Sequence, residues 1–315
     1  MGLDKKDTQL LAELDTNSRQ TYQELGRKLR LSKDAVKYRM ERLEKLGIIE
    51  GYYTEINTMQ LGYTIYRLYF KLQNIDEKKK KEMIAWFVSR KETFYVVEIV
   101  GQWDIDILMW VKSNVMLEQF WRDFKMMYRK YVQNYLLSIY TRLQIFPRKY
   151  LGNKAETVYI KETADIVKID YIDTEILRQL ASDARLNFVD IALKLKTTAK
   201  IVAYRVRKLE RQGIILKYRA KLNYTLLGRG YYKLEVNLND ITKLKSFYYF
   251  AFMHKDFTHI NETLGSTDFE GDIEIESFEK LTEIISQLQA QFPGTVRDYF
   301  YFQIFKVYKI NFFPE

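Results

Sequence analysis

The chain has no cysteine, only two histidines and only three prolines among its 315 residues. Without cysteine there are no disulfides, no thiolate nucleophile and no thiolate metal site. The histidines, His254 and His259, have no Asp or Glu pattern near them with metal-ligand spacing, so neither a metal nor a cofactor is expected. So little proline, with no long polar tract, argues against extended disorder. No window reaches the roughly 18 apolar residues of a membrane span. Asp4, Lys5, Lys6 and Asp7 interrupt any apolar run at the start. These absences predict a cytoplasmic chain with no membrane association and no signal peptide.

What the chain has in excess is positive charge, a net +10. A surplus of that size points to a polyanionic partner only weakly, and its placement says more. Residues 27–45 hold eight basic residues against Asp34, Glu41 and Glu44, and residues 194–211 hold seven against Glu210. The two windows are related. Adding 166 to each number lays residues 3–49 on 169–215 without a gap, with 16 of 47 positions identical, among them Asp4, Asp7, Arg19, Val36, Tyr38, Arg39, Leu43, Gly47, Ile48 and Ile49. A period this long means two whole units on one chain.

Each unit reads as three helices. Asp4 caps a first helix with the apolar stripe Leu10, Leu11 and Leu14. Thr21, followed by Glu24 at capping-box spacing, opens a second with Leu25 and Leu29. Ser32 caps a third in which Val36, Met40 and Leu43 share one face, and Gly47 stops it before an extended Ile48–Ile49. Three helices with a tight turn before the last make a helix-turn-helix, and the following strand makes it winged.

The run LSKDAVKYRMERLEKLGII, preceded by LDKKDTQLLAELDTNSRQTYQELGRKL, resembles the N-terminal domain of the Lrp/AsnC "feast/famine" regulators. In that family a small sensing domain of βαββαβ order follows. Residues 63–146 fit that order, with a Gly-x-x-Asp turn at Gly101–Asp104, and residues 231–309 fit it again with Gly265–Asp268. The resemblance implies an α+β fold in which two winged helix-turn-helix domains alternate with two ferredoxin-like βαββαβ domains of RAM or ACT type. The expected boundaries are 1–58, 59–148, a linker over 149–168, 169–224 and 225–315, and Gly271 is expected to interrupt a strand of the last domain.

A helix fits the DNA major groove, its first turns meet base edges, and flanking cations hold phosphates. By helical position the groove residues are Ser32, Lys33, Lys37 and Tyr38 in the first unit and Thr198, Lys200, Tyr204 and Arg207 in the second. Lys28, Arg42, Lys194 and Lys208 are placed for the DNA backbone. Arg39 and Arg205, at the edge of the buried stripe, are expected to be structural. Charges that merely solvate a helix face are the alternative, weakened by their recurrence in both units. The partner expected is double-stranded DNA.

The resemblance also implies an amino-acid effector at the Gly-x-x-Asp turns, with Gly101, Trp103, Asp104, Gly265 and Asp268 as candidates, while a purely structural turn explains the same residues. It further implies that sensing domains pair, here within one chain as a pseudo-dimer, with further homo-oligomers open. The recognition helices differ, Lys33 and Lys37 standing where Ala199 and Ala203 stand, so the half-sites are expected to differ. Two rivals remain: a non-specific DNA-organising protein, and an enzyme similar to the sirohaem decarboxylases, which resemble the family in fold. The 25 Tyr and 19 Phe cluster in expected strands such as YFYFQIF, which assigns them to packing.

Overall fold

The computed structural model describes residues 2–153, 155–161 and 165–314; positions 1, 154, 162–164 and 315 lie outside the described residues. The chain opens with α1 (Lys5–Thr16), α2 (Tyr22–Leu29) and α3 (Lys33–Lys45). Each starts where a short polar side chain accepts an unpaired backbone N–H: Asp4 from Asp7, Thr21 from Glu24, Ser32 from Ala35. Leu10, Leu14, Leu25, Val36, Met40 and Leu43 then close one apolar core, each fully buried side chain contributing about 1.5–3 kcal/mol. Gly47, at φ 73°, ends α3 in the left-handed region, and β1 (Ile49–Ile56) follows.

Next come β2 (Thr64–Leu72), α4 (Glu77–Ser89), β3 (Thr93–Gly101), β4 (Ile105–Val111), α5 (Asn114–Tyr128) and β5 (Val132–Ile145). The expected linker is not free of structure. It contains β6 (Val158–Lys161), which pairs antiparallel with the end of β5 from Ile145 opposite Val158 to Arg142 opposite Lys161. Its anchor is Ile160, buried with Met59, Ile65, Trp110 and Ile145 and flanked by half-buried Val158, and a strand of four residues is too short to show a period. Residues 154 and 162–164 of that linker lie outside the described residues.

The second half runs α6 (Tyr171–Ser182), α7 (Phe188–Lys194), α8 (Ala199–Arg211), β7 (Ile215–Leu222), β8 (Gly230–Leu238), α9 (Leu244–Met253), β9 (Phe257–Leu264), β10 (Phe269–Ile275), α10 (Phe278–Gln291) and β11 (Val296–Ile310). Gly271 does not interrupt β10, which is continuous. A Cβ there would come within 2.4 Å of Phe257 Cε1, so glycine makes room for that ring.

The halves interlock at two levels. The wing strands β1 and β7 pair antiparallel, with Tyr53 opposite Arg219, positions exactly one repeat apart. Around them the contacts are reciprocal: Ser18 N–H donates to Tyr218 O (2.9 Å) as Ala184 N–H donates to Tyr52 O (3.0 Å). Arg19 donates to the carbonyls of Ala184 and Leu186, and Arg185 to those of Ser18 and Gln20.

Below the wings, the strand order β2-β4-β3-β11-β8-β10-β9-β5, with β5 returning to β2, closes eight strands into a ring. Alternate strand residues face opposite sides. Tyr66, Leu68 and Phe70 pack outward under α4 and α5, and Tyr232, Leu234 and Val236 under α9 and α10. The intervening Arg67, Tyr69, Lys233 and Glu235 face into the ring.

Candidate nucleic-acid interface

The third helix of each unit is held by the same device. Arg39 lies 2.7 Å from both Asp4 and Asp7, and Arg205 lies 2.7 Å from Asp170 and 2.8 Å from Asp173. Each guanidinium therefore ties α3 to α1, or α8 to α6, through the carboxylates that cap the first helix. Burial opposes ionisation of Asp7, but Arg42, the Asp4 N–H and Arg39 outweigh it and hold the carboxyl below its ordinary value.

With that face anchored, the opposite face is open. Lys28, Ser32, Lys33, Lys37 and Tyr38 are exposed, as are Lys194, Thr198, Lys200, Tyr204 and Arg207. Tyr38 is 67% and Tyr204 61% exposed, so an aromatic ring stands in solvent at the same place in both units. Ser32 accepts from Ala35 N–H (3.1 Å) and Thr198 from Ile201 N–H (3.3 Å), which leaves each hydroxyl free to donate. Lys28 sits 2.7 Å from Glu13 and Lys37 3.7 Å from Glu41, exposed pairs of the kind that contribute about 0.2–1 kcal/mol and that a phosphate can displace. Among the described residues, Lys33, Lys194, Lys200 and Arg207 have no ion pair. Arg42 and Lys208 stand apart. Both are half-buried, Arg42 bonded to the Asp7 carboxylate and Lys208 3.9 Å from Asp173, because the buried acid at the first helix draws them inward.

The Gly-x-x-Asp turns lie at the seams between halves. Gly101, at φ 148°, abuts β11, where a Cβ would come within 2.8 Å of Phe302 Cβ; Gly265, at φ 88°, faces the Leu137 carbonyl of β5. Asp104 accepts from Leu72 N–H (2.7 Å) and Lys71 Nζ (3.1 Å), and Asp268 from Leu238 N–H (2.7 Å). Trp103 is buried and stacks on Tyr69 at 5.7 Å between centroids. Both carboxylates are thus committed to the backbone of a neighbouring strand.

Two polar groupings went unread in the sequence. Inside the ring, Arg67 lies 2.6 Å from Glu270 and 3.4 Å from Asp106, Lys233 lies 2.9 Å from Asp272, and the Tyr69 hydroxyl donates to Glu235 at 2.8 Å. Burial pushes Asp106 up to about 6 against the pull of Arg67, and pushes Glu235 up to about 7. At the junction of unit and ring, buried Asp15 accepts from Arg148 Nη1 (2.8 Å), Arg219 Nε (3.0 Å) and Asn153 Nδ2 (2.7 Å). Burial works against its charge, but Arg219 and Arg148 prevail and hold it well below the usual carboxylate range. Arg148 also grips Glu274 with Nε and Nη2, both at 3.0 Å, joining α1 to β10. The one available signal was the strict alternation in Phe269–Ile275, FEGDIEI, whose charged face ordinarily means solvent.

Comparison with known proteins decides what this arrangement belongs to. A family model described as winged helix-turn-helix DNA-binding matches residues 3–50 and again 169–215. The chain is 31% identical over 145 residues to an uncharacterized HTH-type transcriptional regulator of Pyrococcus horikoshii, a match covering 46% of this chain and 90% of that protein. It is 45% identical over 62 residues to the leucine-responsive regulatory protein of Rhizobium meliloti, covering 20% of this chain and 40% of the relative. The chain belongs to the Lrp/AsnC family of transcriptional regulators.

The Pyrococcus relative accounts for nearly its whole length with less than half of this chain, so this Lrp/AsnC protein carries the family's unit twice. A crystal structure of the siroheme decarboxylase NirDL superposes with a TM-score of 0.67 at 12% identity, covering 98% of this chain and 93% of that one. At that identity the likeness is one of fold. Among the described residues no helix is long and apolar enough to cross a membrane, and no group of three or more His, Asp or Glu could hold a metal ion.

Proposed function

We propose that this Lrp/AsnC protein reads one DNA duplex with both of its own recognition helices, as a single-chain pseudo-dimer on a site with two unlike halves. The observation that carries the reading is the pair of exposed faces on α3 and α8, set on identical Asp–Arg anchors and joined through paired wings. An α-helix with its side chains is about 10–12 Å across and the major groove about 12 Å wide. Ser32, Lys33, Lys37 and Tyr38 would enter one groove, Thr198, Lys200, Tyr204 and Arg207 the next, with Lys28 and Lys194 on the flanking phosphates. Arg42 and Lys208 add charge from behind rather than contact.

Selection of binding sites from random DNA tests this. A site with two different halves is expected, and a perfect palindrome as the preferred site would overturn it. If each unit neutralises roughly three phosphates, log K falls with log salt at a slope of about five. A non-specific DNA-organising protein would share the salt slope but return no enriched sequence.

An amino-acid effector at Gly101, Trp103, Asp104, Gly265 and Asp268 remains the expectation the family brings. Calorimetry against the twenty amino acids tests it, and silence from all of them would leave these turns structural. A second reading, tetrapyrrole decarboxylation, draws on the full-length likeness to siroheme decarboxylase and on His259, which faces the ring interior. Against it stand the open cationic faces and the neutrality of His259, which burial pushes down to about 4. Incubation with sirohaem and an absorbance scan separates the two.

A further inference from the structure

Between the paired wings and the strand ring lies a cavity of about 840 Å3. That is within the range of roughly 300–1,000 Å3 typical of small-molecule sites. Tyr53 and Glu55 of β1 form one side of it, and Arg67, Asp106, Lys233 and Asp272 of the ring form another, so an occupant touches wing and barrel together. None of the five Gly-x-x-Asp residues lines it.

Three side chains on its wall carry unmet hydrogen-bonding capacity, and one of them, Arg67, has its unpaired Nε 3.4 Å from the unpaired Asp106 Oδ1. The Tyr140 hydroxyl and Asp106 Oδ1 have no hydrogen-bond partner, although Tyr140 is 4% and Asp106 1% exposed. Buried polar atoms in native folds nearly always have one. The nearest cation to Asp106, Arg67, keeps its short bond for Glu270 and stands 3.4 Å from Asp106.

Charge gives the sign of the missing partner. With Glu235 protonated below about pH 7, the layer around Asp106 holds three carboxylates once Asp106 is ionised, Asp106, Glu270 and Asp272, against two cations, Arg67 and Lys233. His259, 3.9 Å from Asp272, does not redress the balance, since burial keeps it neutral. Toward the wings Arg148 is engaged with Asp15 and Glu274, Lys221 with Glu50 at 3.2 Å and Lys309 with the Val88 and Arg90 carbonyls, while Lys306 lies over the Tyr308 ring. An anion drawn in by Lys306 would still face Asp106, Glu270 and Asp272 on reaching the inner layer. The remaining walls are aliphatic and aromatic, the rings including Tyr95, Tyr231 and Trp110, the last stacked on Phe94 at 4.0 Å, and aromatic faces attract cations.

We propose that this cavity is a binding site for an organic cation, a primary ammonium on an aromatic or aliphatic body, whose head group is received by Asp106 and Tyr140. The ammonium supplies the donors that Asp106 Oδ1 and the Tyr140 oxygen lack, and it brings the charge the inner layer is short of. Because Asp106 holds a proton near pH 6 among Arg67, Lys233, Glu270 and Asp272, and beside the Tyr69, Tyr95 and Tyr140 rings, the incoming cation displaces that proton.

The test uses the full chain without DNA, so its failure and failure of the DNA-reading proposal are separate results. Calorimetry at pH 6 compares 2-phenylethylamine, tryptamine and 1,5-diaminopentane with the neutral 2-phenylethanol and the anionic phenylacetate. At least one amine is expected to bind ten-fold or more tighter than the alcohol and the acid. Repeating the titration in buffers of different ionisation enthalpy should show proton release. Asp106→Asn is expected to weaken the amine at least ten-fold, and Tyr140→Phe, which keeps the ring and the packing, about three-fold, with thermal melts confirming that each variant folds. No heat from any amine at millimolar concentration, phenylacetate binding as tightly as the amines, or unchanged affinity in folded Asp106→Asn overturns the proposal. Should Asp106→Asn not fold, unchanged affinity in Tyr140→Phe does so instead.

Discussion

On the outer face of α3 stand Lys33, Asp34, Lys37 and Glu41; at the same places α8 carries Ala199, Lys200, Ala203 and Arg207. Behind these faces Arg39 and Arg205 make the same bonds to the same two carboxylates of the first helix. The supports below the units differ again. Asp15 of the first unit sits in a buried ionic knot with Arg148 and Arg219, whereas its counterpart Ala181 lies in an apolar cluster with Phe313, beside a Tyr53–Phe312 stack at 3.8 Å. Duplication has kept the lock that sets each helix's angle. The surface it presents and the joint on which it rests have both been free to change.

The largest expected effect lies at the joint. Asp15→Ala strands Arg219 and half of Arg148 in the interior and is expected to cost on the order of 3–5 kcal/mol, read as a lower midpoint in urea or heat. Phe312→Ala on the opposite side, removing a half-buried stacked ring, is expected to cost about 1–3 kcal/mol. Equal losses would erase the contrast.

Next come the outer faces. Arg207→Ala should change base preference in one half-site only, by about 1–3 kcal/mol, and Lys33→Ala in the other only. Site selection with each variant checks this, and relaxation of both halves by either change would argue against a fixed assignment of helix to half-site.

Smaller is the dependence of stability on pH, where joint and ring oppose each other. Asp15 is held below its ordinary value, so its stabilisation is complete above about pH 5 and is lost as pH falls through 3.8 and below. Asp106 and Glu235 are held above theirs, at about 6 and about 7, so the fold keeps protons that the unfolded chain has released. Their contribution is therefore lost as pH rises from about 4 through 7. His259, pushed down to about 4, opposes this by gaining stability as pH rises from 4 to about 6.5, so the decline in melting temperature should be clearest from pH 6.5 to pH 7, and Glu235→Gln should flatten it; a midpoint rising over that interval in the wild-type protein would contradict it.

Smallest is the effect of single phosphate contacts. Lys28→Ala and Lys194→Ala should each reduce the salt slope by about 0.9 and leave base preference alone. A change in preferred sequence would move either lysine into the groove.

The helical units were legible because their signals are local. A cap, an apolar stripe at 3.6 spacing and a stopping glycine lie within one short stretch, and the 166-residue offset repeats them. The βαββαβ order of elements was legible for the same reason, with the family resemblance supplying the connections, whereas the order of the strands in the closed ring was not. The ring interior was not legible. Glu270, Asp272 and Glu274 on one side of β10 look like a wet face, and only the arrival of strands from the other half turns that face inward. Nor was the pull of Asp7 on Arg42, since a basic residue on the outer edge of a helix gives no sign of an acid arriving from another helix. Ile160 in β6 shows the lower limit of pattern reading, since Val158 and Ile160 alone share the covered face of a four-residue strand and two positions cannot establish a period.

A symmetric dimer compels whatever lies on its axis to meet its own copy. Here the axis runs through Tyr53 opposite Arg219 and through Tyr69 bonded to Glu235, each pair one repeat apart. An assembly made from two copies of the second half would bring arginine against arginine at the wings and carboxylate against carboxylate in the ring; two copies of the first would set tyrosine against tyrosine at both places. Covalent fusion has lifted that constraint, and the halves have become complementary rather than interchangeable.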